Sequence, residues 1–256
     1  MRVATLALLA AAAGSSLAAA QAEFHWKGKI APGKSIEIKG VNGDISAVAG
    51  SGEVEVTAVK HARRSDADEV KIEVVPSEDG VTICAVYPSD GRRENTCESG
   101  EHNHMNVRDN DVRVDFTVRV PAGVKFRGTT VNGAVEAADL SSDVDATSVN
   151  GSIRISTSGY AEARTVNGSI VAAIGRATWS DVLDFSTVNG AITLDLPASL
   201  STEVRASTVN GGIETDFPLT VTGRLGPRRL NGTIGSGGRR LDLSTVNGSI
   251  RLRKSS

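Results

Sequence analysis

The sequence predicts an all-β protein: a parallel β-solenoid (single-stranded β-helix) of Val-Asn-Gly repeats with an N-terminal antiparallel β extension. Three observations carry that expectation. The tripeptide recurs at Val41, Val131, Val149, Val166, Val188, Val209 and Val246, with a Leu-Asn-Gly variant at Leu230. Aligned on that residue, small or apolar side chains recur at offsets −5, −3, 0, +4 and +6, as in Leu183, Phe185, Val188, Ile192 and Leu194. Successive asparagines from Asn132 to Asn247 lie 18, 17, 22, 21, 21 and 16 residues apart. Self-similarity at about 20 residues, carried by period-2 alternation, is the pattern of stacked β units that bury their apolar faces only against one another.

Two geometries could use the tripeptide. As the two-residue turn of a hairpin, Asn-Gly would put offsets −5, −3, +4 and +6 on one face and strand the Val on the other. As the corner of a parallel solenoid, it would let every aliphatic position face inward, with a one-residue phase shift at the preceding Ser-Thr. Stacked corners would also bring each Asn over the next at about the 4.8 Å strand spacing, where side-chain amides can form a ladder, while Gly allows a positive φ. The solenoid is preferred because every aliphatic position, the Val included, is then buried; offset +4, Ile in seven copies and Val135 in the eighth, is the most tightly specified of them. The expected structural corners are Asn42-Gly43, Asn132-Gly133, Asn150-Gly151, Asn167-Gly168, Asn189-Gly190, Asn210-Gly211, Asn231-Gly232 and Asn247-Gly248.

Taken from its start, the chain opens with Arg2, an apolar run from Val3 to Ala13 and small residues ending at Ala22. Residues 1–22 thus read as a signal peptide, the run being too short to span a bilayer. The expected product is exported, periplasmic or at the cell surface, with no transmembrane segment in the mature chain. Composition fits a narrow core of Val, Ile, Leu and Ala, since aromatics are only 4% of the residues. A net charge of −2 argues against a nucleic-acid partner, which normally demands a basic excess.

Residues 23–125 hold the first repeat, Ile36, Ile38, Val41, Asn42, Gly43, Ile45 and Ala47, followed by an insertion before the second. Four alternating stretches, Val54 to Val59, Val70 to Val75, Val81 to Val86 and Val112 to Val120, read as antiparallel strands that cap the stack against an open edge. Cys84 and Cys97, the only cysteines, are expected to form a disulfide in an exported product. Residues 126–256 carry the remaining repeats.

Candidate chemistry is sparse. Glu101, His102, His104, Asp109 and Asp111 share a polar loop, but no second ligand pair completes a tetrahedral metal set, so no metal or cofactor is expected. A carbohydrate-active β-helix enzyme is the alternative function, and it needs carboxylates converging on one outer face. Offset +5 offers no acidic column, running Ser46, Glu136, Arg154, Val171, Thr193, Glu214, Gly235 and Arg251; the acids to test are Asp139, Asp143, Asp145 and Asp181. Ser or Thr at offset −1 is expected to hydrogen-bond at the corners. At the C-terminal end, Arg224, Arg228, Arg229, Arg239, Arg240, Arg251, Arg253 and Lys254 face the single acid Asp242. Arg228, Arg229, Arg239 and Arg240 are therefore candidate contacts for a polyanion, with affinity that falls as salt rises.

The series Val112 to Pro121, the Thr-Val-Asn-Gly units and the closing Leu-Asp-Leu-Ser-Thr-Val-Asn-Gly-Ser-Ile-Arg-Leu resemble the bacterial "putative adhesin" family of β-strand repeat proteins, a domain of unknown function. The resemblance covers Ile36 to Leu252. It implies an exported, β-helical, non-enzymatic element of the cell envelope, and it brings no catalytic residues; an envelope polymer, a glycan or another surface protein is the expected partner.

Overall fold

Two large β-sheets face each other across one core; most neighbouring strands are parallel, and neither sheet closes into a barrel. In this computed structural model the described residues are 23–89, 91, 93–100, 105–179, 181–221 and 228–255. The expected signal peptide, Glu101, His102, His104 and Arg224 lie outside them.

Across the first sheet the strands run Glu23–Gly28, Val54–His61, Arg113–Pro121, Ile45–Gly50, Val135–Leu140, Ile153–Thr157, Ile170–Ile174, Ile192–Pro197, Ile250–Ser255 and Ile213–Thr215. Across the second they run Leu219–Val221, Arg229–Ile234, Thr202–Asn210, Arg240–Asn247, Leu183–Ser186, Ala161–Arg164, Val144–Thr147, Lys125–Thr129, Ser35–Lys39, Gly80–Val86 and Lys71–Ser77. Each Val-Asn-Gly repeat gives one strand to each sheet and so makes one rung, whereas the Leu230 copy gives a strand to the second sheet alone. Both sheets cross 125/126 without a break, because Ser35–Lys39 pairs with Lys125–Thr129 and Ile45–Gly50 with Val135–Leu140.

One rung shows how the residues choose their faces. Leu183, Phe185 and Thr187 are buried from the second sheet and Ile192, Leu194 and Leu196 from the first, whereas Val188 is 39% exposed. The expectation that this Val faces inward is therefore corrected. Alternation runs unbroken from offset −5 through −3 to −1, which turns Thr inward and Val outward, and the phase shift falls at Asn-Gly itself. An inward hydroxyl is tolerated because it is bonded: Thr187 Oγ1 donates to the Gly168 carbonyl at 2.9 Å.

Stacking follows the sequence up to the Val188 rung and then departs from it. Arg240–Asn247 lies between Leu183–Ser186 and Thr202–Asn210, and Ile250–Ser255 between Ile192–Pro197 and Ile213–Thr215. The C-terminal repeat is thus slotted in ahead of the Val209 repeat, which becomes the last rung. Arg229–Ile234 runs antiparallel against Thr202–Asn210, and Leu219–Val221 antiparallel against Arg229–Ile234.

At the other end Gly80–Val86 and Arg113–Pro121 add a rung parallel to the first repeat, so two of the four insertion strands are not antiparallel to it as expected. Val54–His61, Glu23–Gly28 and Lys71–Ser77 then close the end in antiparallel pairings, which leaves Glu23–Gly28 and Lys71–Ser77 as the edges of the two sheets.

Candidate functional site

The corners are built for stacking. Asn132, Asn150, Asn167 and Asn189 each donate Nδ2 to Oδ1 of the preceding asparagine at 2.8, 2.9, 2.8 and 2.8 Å, starting from Asn42. Asn247 continues the ladder on Asn189 at 2.7 Å, and Asn210 ends it on Asn247 at 2.8 Å. Beneath them Thr130, Ser148, Thr165, Thr187, Thr245 and Thr208 each donate to the carbonyl of the corner glycine one rung back, at 2.8 to 3.0 Å.

Two corner expectations are corrected. Only Gly43 among these glycines has a positive φ, at 130°, so handedness is not why the others are glycine. A Cβ on Gly133, Gly151, Gly168, Gly190, Gly211 or Gly248 would lie 1.8 to 2.1 Å from the carbonyl oxygen of the glycine stacked against it, and close approach is the reason. Asn231-Gly232 is not a corner: both lie inside Arg229–Ile234, and Leu230 is buried where the corner valines are exposed or, at Val41, partly buried. The antiparallel return at that point puts the repeat in register with a strand instead of over the ladder.

Cys84 and Cys97 form a disulfide. It closes the loop that stands where the added N-terminal rung has no Val-Asn-Gly corner. Beside it the buried Lys39 donates Nζ to the carbonyls of Glu98 and Gly100 and lies 3.6 Å from Glu37 Oε1. Glu37 Oε2 in turn accepts from Thr82 Oγ1 at 2.8 Å and from the Gly100 amide at 3.1 Å. Asp111 is occupied with chain geometry: amide donors from Ser65 and then Arg64 hold its carboxyl well below the usual range.

The sequence reading missed an acidic column because it followed offset +5 and not −4. On the outer face of the second sheet Arg127, Asp145 and Glu162 are in register, and so are Asp184, Asp242 and Arg205; the Ala163 and Phe185 pairing joins the two sets. Burial, and then the Asp145 charge, raise the Glu162 carboxyl. Arg164 lies 3.6 Å from Glu162 and 3.8 Å from Asp184. Of the other named acids Asp143 lines a hollow with Asp145 and Glu162, Asp139 and Asp181 do not, and all three are engaged. Asp143 pairs with Lys125 and Arg176, Asp139 accepts from Ser156 Oγ, and Asp181 accepts from the Val182 amide.

The basic end is partly neutralised by its own Asp242 and by acids from earlier in the chain. Arg240 Nε donates to both oxygens of Asp242 at 2.7 and 2.9 Å, Arg251 pairs with Glu214, Arg253 with Asp195, and Lys254 stands over the Phe217 ring. Arg228, Arg229 and Arg239 stay exposed. Arg229 lines an open groove of about 720 Å³ on the outer face of the last rungs, together with Arg205, Asp184 and Asp242. Sequence reasoning left out Arg205, whose signal is its place at offset −4 in the Val209 repeat.

These features define an all-β repeat protein of two mostly parallel sheets whose polar chemistry lies on outer faces. The chain belongs to the Toastrack DUF4097 family, whose model matches residues 33–253. It is similar in shape to a "putative cell adhesion protein" from Clostridium sporogenes, with 11% identity, a TM-score of 0.49, and coverage of 91% of this chain and 100% of that one. A "putative adhesin" from Bacteroides fragilis has 14% identity, a TM-score of 0.37, and coverage of 91% and 97%. Comparison with curated proteins gives no match. Among the described residues no helix is long and apolar enough to cross a membrane.

Proposed function

We propose that the chain is an exported β-solenoid of the cell envelope, an adhesin-like structural or binding element that acts through its surface and is not an enzyme. Residues 1–22 would direct export, 23–125 close one end of the stack, and 126–256 extend it. The observation that carries this reading is the division of labour within a rung. Aliphatic residues, Thr hydroxyls and corner glycines are spent on stacking, and Val-Asn-Gly corners repeat with no variation that would mark one of them as a reaction centre. Function is then left to the outer faces, one of which carries the charged groove. The Cys84–Cys97 disulfide suits an oxidising compartment.

Expression of the full chain in a bacterial host, followed by fractionation and alkylation without reductant, tests the reading. A processed, oxidised product that sediments with isolated envelopes is expected. A full-length cytoplasmic product with two alkylated thiols, or a processed one that ignores envelopes, counts against it.

The alternative, a carbohydrate-active β-helix enzyme, draws on one pair. Asp145 and Glu162 are in-register neighbours, and burial, then the Asp145 charge, raises the Glu162 carboxyl; two adjacent carboxyls of which one is raised are the usual starting point for an acid and base pair. Release of reducing sugar from envelope polysaccharide by the wild type, abolished in Glu162→Gln, would favour the enzyme.

A further inference from the structure

We infer that the groove on the last rungs binds an acidic polysaccharide, its carboxylates on Arg205 and Arg229 and its hydroxyls on the acids and amides around them. The inference rests on the envelope-binding reading and names the ligand class for it. Arg205 and Arg229 are distant in sequence and are brought together by the antiparallel return of the chain. Arg205 faces Asn231 and Ser207 faces Arg229 in that pairing, so the two arginines are diagonal neighbours on one face, about 7–8 Å apart between backbones. Both are exposed. The ion pairs of this end engage Arg240, Arg251 and Arg253 instead. Among the described residues, Arg205 and Arg229 are therefore left with their planar donor forks available to a carboxylate.

The rest of the lining selects the class. Asp184, Asp242 and Glu203 share the groove with the arginines, so it is mixed in charge and not simply basic. A continuous anionic surface, such as a lipid headgroup layer, would meet those acids with like charge and could not enter a concavity. A polymer that alternates carboxylates with hydroxyls uses both halves of the lining. Its carboxylates take the guanidinium donors, and its hydroxyls donate to the acids and to the Asn231 side-chain carbonyl. The groove exists because the C-terminal repeat is slotted beside Thr202–Asn210, which brings Asp242 into register with Arg205.

Residues 23–256 would be titrated with polygalacturonate, with neutral dextran, and with anionic phospholipid vesicles. Salt-sensitive binding to polygalacturonate alone is expected. It should weaken about ten-fold or more in Arg205→Gln/Arg229→Gln and less in Arg229→Lys, which keeps the charge and loses the fork. Arg154→Gln, an exposed arginine on the first sheet, should bind as the wild type does. An unchanged unfolding midpoint would confirm that the double variant is folded; if that midpoint falls, the Arg229→Lys comparison decides. Equal binding by wild type and groove variants overturns the inference, as does equal binding to dextran or a preference for vesicles. A wild type that sediments with envelopes but ignores polygalacturonate defeats this inference and leaves the envelope reading standing; one that binds neither defeats both.

Discussion

A Cβ placed on Gly190 would lie 1.9 Å from the carbonyl oxygen of Gly168, the same oxygen that accepts the Thr187 hydroxyl at 2.9 Å. The neighbouring pairs repeat the relationship, with Gly168 against Gly151 at 2.1 Å and Gly151 against Gly133 at 1.8 Å. The corner thus combines a residue that must have no side chain, a buried hydroxyl that satisfies the carbonyl it exposes, and an exposed amide that ties one rung to the next. The three requirements together account for Thr, or Ser148 in one case, before Val-Asn-Gly in the six rungs from Val131 onward, with Val as a β-former on the outside.

Gly190→Ala should cost about 3 kcal/mol, toward the upper end for overpacking, because the obstacle is backbone and cannot swing aside. Gly212→Ala is the matched control. Nothing lies within 4 Å of a Cβ there, so no loss is expected. Denaturant midpoints at unchanged slope read both, and equal midpoints for the two variants would refute the close-approach account.

Ile192→Ala should cost about 2–5 kcal/mol as a large-to-small change in the core. Val188→Ala should cost about 0.5 kcal/mol or less, since its side chain faces outward and is 39% exposed. Comparable losses at the two positions would restore the inward valine.

Tyr87 makes stability fall at alkaline pH. Burial raises its hydroxyl to about 12, and the group donates to the Val112 carbonyl at 2.8 Å. Because the folded value is raised, the contribution is complete below the unfolded value of about 10 and is lost as pH climbs from there toward 12. Tyr87→Phe should lower stability at neutral pH by about 1 kcal/mol and flatten the decline above pH 10. A decline of the same steepness in the variant would assign it to other groups.

Lys39→Met should destabilise by about 3–5 kcal/mol, because it leaves the Glu37 carboxylate buried without its cation. Limited proteolysis at the loop carrying Cys97 gives a second readout, as Lys39 also holds the Glu98 and Gly100 carbonyls. Wild-type stability and cleavage rate in the variant would show that the loop stands without this pair.

The rung was legible in the sequence because period-2 alternation and a fixed corner are local properties. Ile192, Leu194, Leu183 and Phe185 lie inside as their spacing requires. Val188 was misread because apolar character was taken as a sign of burial, when the bonded hydroxyl of Thr187 made the opposite parity possible. Non-local choices left no such mark. Nothing within Leu230-Asn231-Gly232 states that this copy will pair antiparallel with Thr202–Asn210, or that Asn247 will stack on Asn189 before Asn210 does. The groove follows from those pairings, so Arg205 could not be placed beside Arg229 from spacing alone.

The order of the last rungs is therefore the claim on which fold and site both depend, and paired cysteines on the exposed valines measure it. Val188 and Val246 occupy adjacent rungs, as do Val246 and Val209, whereas Val188 and Val209 are two rungs apart. Adjacent rungs lie about 4.8 Å apart, within disulfide reach; two rungs span about 10 Å, beyond the roughly 7 Å limit. Under mild oxidation Val188→Cys/Val246→Cys and Val246→Cys/Val209→Cys should cross-link, and Val188→Cys/Val209→Cys should not. Ready cross-linking of Val188→Cys with Val209→Cys, and none with Val246→Cys, would mean that the rungs stack in sequence order and would contradict the account.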